Sequence, residues 1–386
     1  MKSSNSLKII IAGICSTLIA IGFGRFIYTP ILPNMQNDLN LSSTTMGIIS
    51  SYNYFGYLVG SIIPIIWKFR NFKNIIVVSS ICSVITIYLM GFTTDLKIFM
   101  TLRFLCGISS AFGFVFTISL MFNLFNDLEN KTLQLYHFCG IGLGIVVGTI
   151  TIWVTSTSYF FWNHQWMIIG FMGILLCIPI ILYTPKQTFL KIDKSAHSEN
   201  KFTLDFFSIT FGYFFFGVGY IIFGTFISAI AKDLFEISSY QYLSWIVVGI
   251  FAIPSVLIWD WVSEKIRTDF LLFFSCLTVA LGVSILFFNN NLNYFLISCI
   301  LYGLGVPGSV ALVLVEGKKR FIGNVNISVA IMTTAFSVGQ ILGPFVSGIL
   351  IDSKGDYESS ILLAIICLLF SSILMVSPKR FKKVKL

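Results

Sequence analysis

Apolar residues in this chain run in long unbroken blocks, and short polar stretches punctuate them. The blocks lie near 8–33, 46–67, 74–93, 96–124, 133–155, 164–183, 205–231, 241–261, 269–288, 293–315, 324–351 and 359–377. Each is close to or above the roughly 20 residues that a helix needs to cross about 30 Å of hydrocarbon. Backbone polar groups in lipid must be satisfied within their own segment, so uniform apolar runs predict helices; a membrane barrel would show a weak alternating signal. The pattern predicts an all-α integral membrane protein of twelve transmembrane helices.

Composition agrees and charge orients it. Of the 386 residues, 56% are hydrophobic and 11% are charged, against roughly 25% charged in a soluble domain. The net charge of +9 would suit nucleic acid if it were spread over a surface, but 20 of the 25 Lys and Arg fall in the loops and ends of one side. Three (Lys97, Lys232, Lys354) fall on the other, and two (Arg25, Arg103) lie within spans. This asymmetry places both termini in the cytoplasm, and it needs no nucleic acid. Lys2 and Lys8 precede the first apolar run as in a secretory signal, but no small-x-small cleavage site follows, so it reads as an uncleaved first helix. The eight cysteines sit inside apolar blocks without CxxC spacing and read as packing residues.

The chain resembles itself at a shift of 195 residues. Gly22 and Gly24 fall on Gly217 and Gly219, Asp38-Leu39 on Asp233-Leu234, and Gly144 and Gly148 on Gly339 and Gly343. The pattern predicts two six-helix halves, 1–183 and 205–386, joined by a polar cytoplasmic linker at 184–204 that includes His197. Parallel six-helix repeats are the architecture of a large transporter class with its substrate site between the halves. No phosphate-binding loop is present, and His137, His164 and His197 are too scattered for a metal site, so neither cofactor, metal nor enzyme activity is expected.

The segments "GFGRFIYTPILPNMQNDLNLS", "NYFGYLVG", "HFCGIGLGI", "FGVGYIIFGTFISAIAKD", "WIVVGIFAIPS" and "SVGQILGP" occur in this order. Together they resemble the YbfB/YjiJ branch of the major facilitator superfamily. The resemblance implies a twelve-helix secondary transporter of the cytoplasmic (inner) membrane in which helices 1, 4, 7 and 10 line a central cavity. Within "RFLCGISSA", Arg103 and Gly107 match the R-x-x-x-G signature of helix 4. Of the usual basic loop between helices 2 and 3 only Lys68 and Arg70 remain, whereas "DWVSEKIR" keeps Glu264, Lys265 and Arg267 between helices 8 and 9. Such loops are implied to latch the halves, here weakly on the first side.

An intramembrane charge costs about 2.5 to 3.5 kcal/mol on insertion scales, which makes Arg25 and Arg103 functional candidates. If the first helix ends at Pro33 and the fourth begins near 96, each arginine lies roughly 10–12 Å from the outer end. With the cavity the resemblance implies, both guanidiniums would face one chamber and hold a carboxylate in bidentate fashion. The alternatives are that Arg25 holds carbonyls freed near Pro30 and Pro33, that Arg103 packs or carries protons, or that either reaches outward to the interface. Tyr28 shares the face of Arg25 by i, i+3 spacing, and Tyr220 stands where the duplication would put a second arginine.

Asn53 and Gln340 are further candidates for substrate hydrogen bonding. His137 and Glu316 are the candidates for coupling, since no acid sits clearly at the midplane. Gly140, Gly142, Gly144 and Gly148, with Gly339, Gly343, Gly348 and Pro344, are expected to form close, bendable contacts across the two halves. Glu264 and Arg267 are expected to act in gating. The reading is a monomeric carrier in the lipid bilayer that moves a small organic solute, an anion being favoured, with a coupling proton or ion as a further partner. Two alternatives stay open: broad-specificity drug efflux, and a receptor that keeps the fold without transporting.

Overall fold

The computed structural model describes residues 3–67, 69, 71–125, 131–157, 161–186, 202–235, 238–288, 291–321 and 325–376. Twelve long helices carry these residues. α1 is built from three consecutive segments, Ser3–Thr17, Leu18–Phe26 and Tyr28–Leu39. It is followed by α2 (Ser43–Ile66), α3 (Phe72–Met90), α4 (Leu96–Phe125), α5 (Cys139–Thr157) and α6 (Trp162–Tyr183). The second set is α7 (Leu204–Phe235), α8 (Ser238–Ser263), α9 (Thr268–Phe288), α10 (Leu292–Arg320), α11 (Val325–Lys354) and α12 (Glu358–Met375). Eleven of them are long and apolar enough to cross a membrane. The other, α2, is long enough at 24 residues, but Ser, Thr, Asn and Tyr dilute its hydropathy.

Helix ends follow local chemistry. Asn40, at φ 50°, closes α1 in the left-handed conformation that asparagine tolerates, and its N–H bonds the Gln36 carbonyl. Ser42 Oγ accepts from the Thr45 N–H at 3.1 Å and starts α2. The expected end of α1 at Pro33 is therefore too early by six residues, because the helix absorbs both prolines and runs on to Leu39. In place of a regular start at 133, a tight 3-10 stretch (Lys131–Phe138) leads into α5 and carries His137. The linker is described only at 184–186 and 202–204; residues 187–201, with His197, lie outside the described residues, as do Lys68, Arg70 and the basic tail from Lys379.

The duplicated glycines mark duplicated crossings, but not the ones expected. A side chain at Gly144 would strike Gly22 Cα at 2.7 Å, and one at Gly339 would meet Gly217 at 3.2 Å. Gly140 likewise packs on Ile14 and Leu18, Gly148 on Ile27 and Phe23, and Gly343 on Ile221 and Val218. These five glycines fasten α5 to α1 and α11 to α7, so they pack within each half and do not bridge the two. Small residues let backbones approach, but their spacing does not name the neighbour. The remaining members of the two rows do bridge: Gly142 meets Gly249 and Ile253, Gly348 meets Ser43 and Thr44, and the Pro344 carbonyl meets Gly47.

The halves are joined toward the face opposite the chain ends. Asp352, near the end of α11, accepts the N–H groups of Ser43 and Thr44 at 2.9 and 2.8 Å, placing a carboxylate on the positive N-terminus of α2. Thr29 Oγ1 donates to the Gly224 carbonyl at 2.8 Å, Asn34 Nδ2 to Tyr242 Oη at 3.1 Å, and Ser51 Oγ to the Ile341 carbonyl at 2.7 Å. Trp153 stacks on Tyr242 at 6.3 Å.

Candidate functional site

The site begins with the irregular middle of α1. Residues Leu18–Phe26 wind as a π-helix, a wide turn that is rare and concentrates at functional positions. Pro30 has no N–H, so the Phe26 carbonyl lacks its ordinary i+4 donor. Trp245 Nε1, from α8 in the other half, supplies one at 3.1 Å, and its ring meets Phe26 edge-on. The Gly24 carbonyl accepts from three side chains: Asn53 Nδ2 at 3.2 Å, Arg103 Nη1 at 3.3 Å and Cys106 Sγ at 3.4 Å.

Arg103 is a brace inside the first half. It is 0% exposed, and its Cζ lies 4.9 Å from the Tyr28 ring centroid and 6.0 Å from that of Trp166. Asn53 ties the same level together, donating to the Arg103 carbonyl at 3.0 Å as well as to Gly24. Nε and Nη2 of Arg103 have no hydrogen-bond partner, yet its hydrogen bond and ring contacts go to α1 and α6, and its electrostatic neighbours Tyr54 and Cys106 also belong to the first half.

Arg25 is placed differently. Its Cζ lies 4.2 Å from the ring centroid of Tyr57 and 4.9 Å from that of Tyr54, both on α2. The residue is 5% exposed, and Nε and Nη2, the two nitrogens of one guanidinium edge, have no hydrogen-bond partner. Among the described residues no carboxylate pairs with it. It stands close enough to Tyr213 and Tyr220 of α7 to interact with them electrostatically. Facing it from the second half is a run of near-parallel rings: Tyr213 on Phe336 at 4.3 Å, Tyr220 on Phe336 at 5.5 Å and Phe216 on Tyr220 at 5.6 Å. Gln340 Nε2 donates to Tyr220 Oη, and Tyr302 Oη donates to the Tyr220 carbonyl at 2.8 Å.

A family model described as the uncharacterised MFS-type transporter YbfB matches residues 17–376. The chain belongs to this family of major facilitator superfamily transporters. No curated protein sequence matches it. Among solved structures, a crystal structure of a mutant of the nucleoside transporter NupG superposes with a TM-score of 0.72 at 13% identity, covering 96% of this chain and 98% of that one. At that identity the likeness shows the fold alone. The protein is a multi-pass membrane transporter.

The other candidate residues of this transporter scatter. Tyr28 lies under Arg103, not beside Arg25, and donates from Oη to the Met46 carbonyl at 3.1 Å. The π-turns between them have more than 3.6 residues each, so i, i+3 spacing no longer means one face. Glu316 is paired with Arg320 at 3.2 Å and Lys319 at 3.7 Å at the end of α10, where Arg320 also pairs with Asp269 at 2.9 Å. His137 is buried, with Nδ1 at 2.7 Å from the Gln134 carbonyl and Nε2 unpartnered. Glu264 and Arg267 are exposed, and Arg267 lies over Phe270 at 5.8 Å. A depression of about 550 Å³ lies on the opposite face, between Gln36, Asn37 and Asn40 of the α1 end and Lys232 and Asp233 of α7. It is at least eleven residues of helix away from Arg25, roughly 16 Å. Tyr54, Tyr57 and Trp166 were not singled out from the sequence; the i, i+3 tyrosine pair on α2 is the signal that points to them.

Proposed function

We propose that this transporter is a secondary carrier of a small organic anion, bound between its halves on Arg25 and released by alternate parting of the two faces. The observation that carries the reading is the Nε–Nη2 edge of Arg25, buried and without a hydrogen-bond partner, on a guanidinium that Tyr57 engages from its own half and that lies within electrostatic reach of Tyr213 and Tyr220 of α7. An unpaired charge taken out of water is costly, and a carboxylate held bidentately offsets that cost. The joints at Asp352, Asn34 and Thr29 hold the halves together on the opposite face, and in this reading the site opens by parting of the halves toward the face that carries the chain ends. By the charge asymmetry that face is cytoplasmic, and the family likeness supports the inner membrane as its place. The carrier works as a monomer, and His137 and Glu316 are its candidate coupling groups.

The test is uptake into proteoliposomes of a panel of organic acids, with nucleosides, which the structural neighbour is named for carrying, as uncharged probes. Uptake of at least one acid, lost in Arg25→Gln, supports the reading. Equal uptake of that acid by wild type and variant removes it. Collapsing the proton gradient decides whether a proton is coupled.

A further inference from the structure

Arg25 accounts for one end of a ligand, and the second half of the molecule presents something different. Tyr213, Phe336, Tyr220 and Phe216 form one stack, with interplanar angles of 12°, 0° and 19° between successive pairs. Their exposures are 2%, 6%, 2% and 0%. Gln340, one turn beyond Phe336 on α11, is completely buried, and its Oε1 has no partner although Nε2 is engaged by Tyr220. A buried amide oxygen without a donor leaves a hydrogen bond unmade, which a ligand's donor would make good. Tyr220 belongs at once to the stack, to the Gln340 bond and to the electrostatic neighbourhood of Arg25.

We infer that the substrate class is an aromatic carboxylic acid with a hydrogen-bond donor on or beside its ring. The inference rests on the anion reading and deepens it. The carboxylate lies on the Nε–Nη2 edge of Arg25, the two buried nitrogens that have no hydrogen-bond partner. The flat ring extends the Tyr213–Phe336–Tyr220 stack, as offset aromatic pairs prefer. The donor satisfies Gln340 Oε1. Charge comes from the first half and the flat apolar surface from the second, so only a ligand with both groups ties the halves together. An aliphatic acid would use the arginine and leave the stack unused; a neutral ring would leave the guanidinium bare.

Binding to the full-length protein in detergent is measured with four probes: 4-hydroxybenzoate, benzoate, 4-hydroxycyclohexanecarboxylate and phenol. The expected order places 4-hydroxybenzoate tightest, about fivefold tighter than its puckered cyclohexane counterpart, the discrimination an aromatic pair supplies. Benzoate binds more weakly than 4-hydroxybenzoate, and phenol most weakly of the four. Phe336→Leu brings the two hydroxy acids to equal affinity. The wild-type probe series decides the matter by itself if that variant does not fold. Equal binding of the two hydroxy acids by wild type, with both lost in Arg25→Gln, overturns the aromatic inference and leaves the anion reading standing. Phenol binding as tightly as the acids overturns the anion reading, and no binding of any probe overturns both.

Discussion

Arg25 and Arg103 are the same residue type, both buried, and both close to one carbonyl of α1, yet their surroundings are opposite in kind. Arg103 is enclosed by its own half: it donates to the Gly24 carbonyl, and Tyr28 and Trp166 cover its guanidinium. Arg25 is enclosed by α2 on one side and looks across the boundary to α7 on the other. Charge and burial therefore do not define a binding group here. What separates a brace from an anchor is whether the neighbours move together with the residue. When the halves part, everything around Arg103 travels with it, whereas Arg25 loses or gains the second half.

The contrast can be broken by mutation. Arg103→Leu removes the Nη1 bond to Gly24 and two ring contacts, and the first half should lose about 3 kcal/mol of stability. A thermal melt of the purified protein reports it, and an unchanged melting point would deny the brace. Asn53→Leu removes two donated bonds at the same level, to Gly24 and Arg103, and should lose about 2 kcal/mol. It should lower the melting point without altering which solutes are carried; a shift in solute preference would instead place Asn53 at the substrate. Tyr57→Leu removes the nearer ring from Arg25, a cation–π contact worth about 1 kcal/mol. Stability should hardly change, while the apparent affinity for a transported acid weakens by about fivefold.

Much of this architecture is legible in the sequence, and the reasons the rest is not are physical. Long apolar runs announce eleven of the twelve helices directly, and α2 emerges despite its polar dilution because it fills the gap between two turns. The shift of 195 residues finds a true duplication, the α1–α5 and α7–α11 crossings at Gly22–Gly144 and Gly217–Gly339. It misleads about the partner, since a glycine row encodes closeness but not identity. Arg25 and Arg103 stand out as charges in apolar blocks. Which of them faces the boundary is hidden, because the π-helical stretch Leu18–Phe26 breaks the regular register from which side-chain direction is counted. The same irregularity moves Tyr28 from one arginine to the other. Trp245 is invisible until Pro30 is seen to strip the Phe26 carbonyl of its donor, a link between residues 219 positions apart.

The most direct test compares Arg25→Gln with Arg103→Gln in one preparation, reading melting temperature and proteoliposome uptake of a transported organic acid side by side. The expected result is a crossed pair. Arg25→Gln keeps the wild-type melting temperature and loses uptake by about 100-fold, the loss of a buried charge-assisted anchor. Arg103→Gln melts several degrees lower, and the fraction that remains folded still carries the acid. Retained uptake in Arg25→Gln, or a lowered melting temperature there with none in Arg103→Gln, would contradict the assignment of anchor and brace.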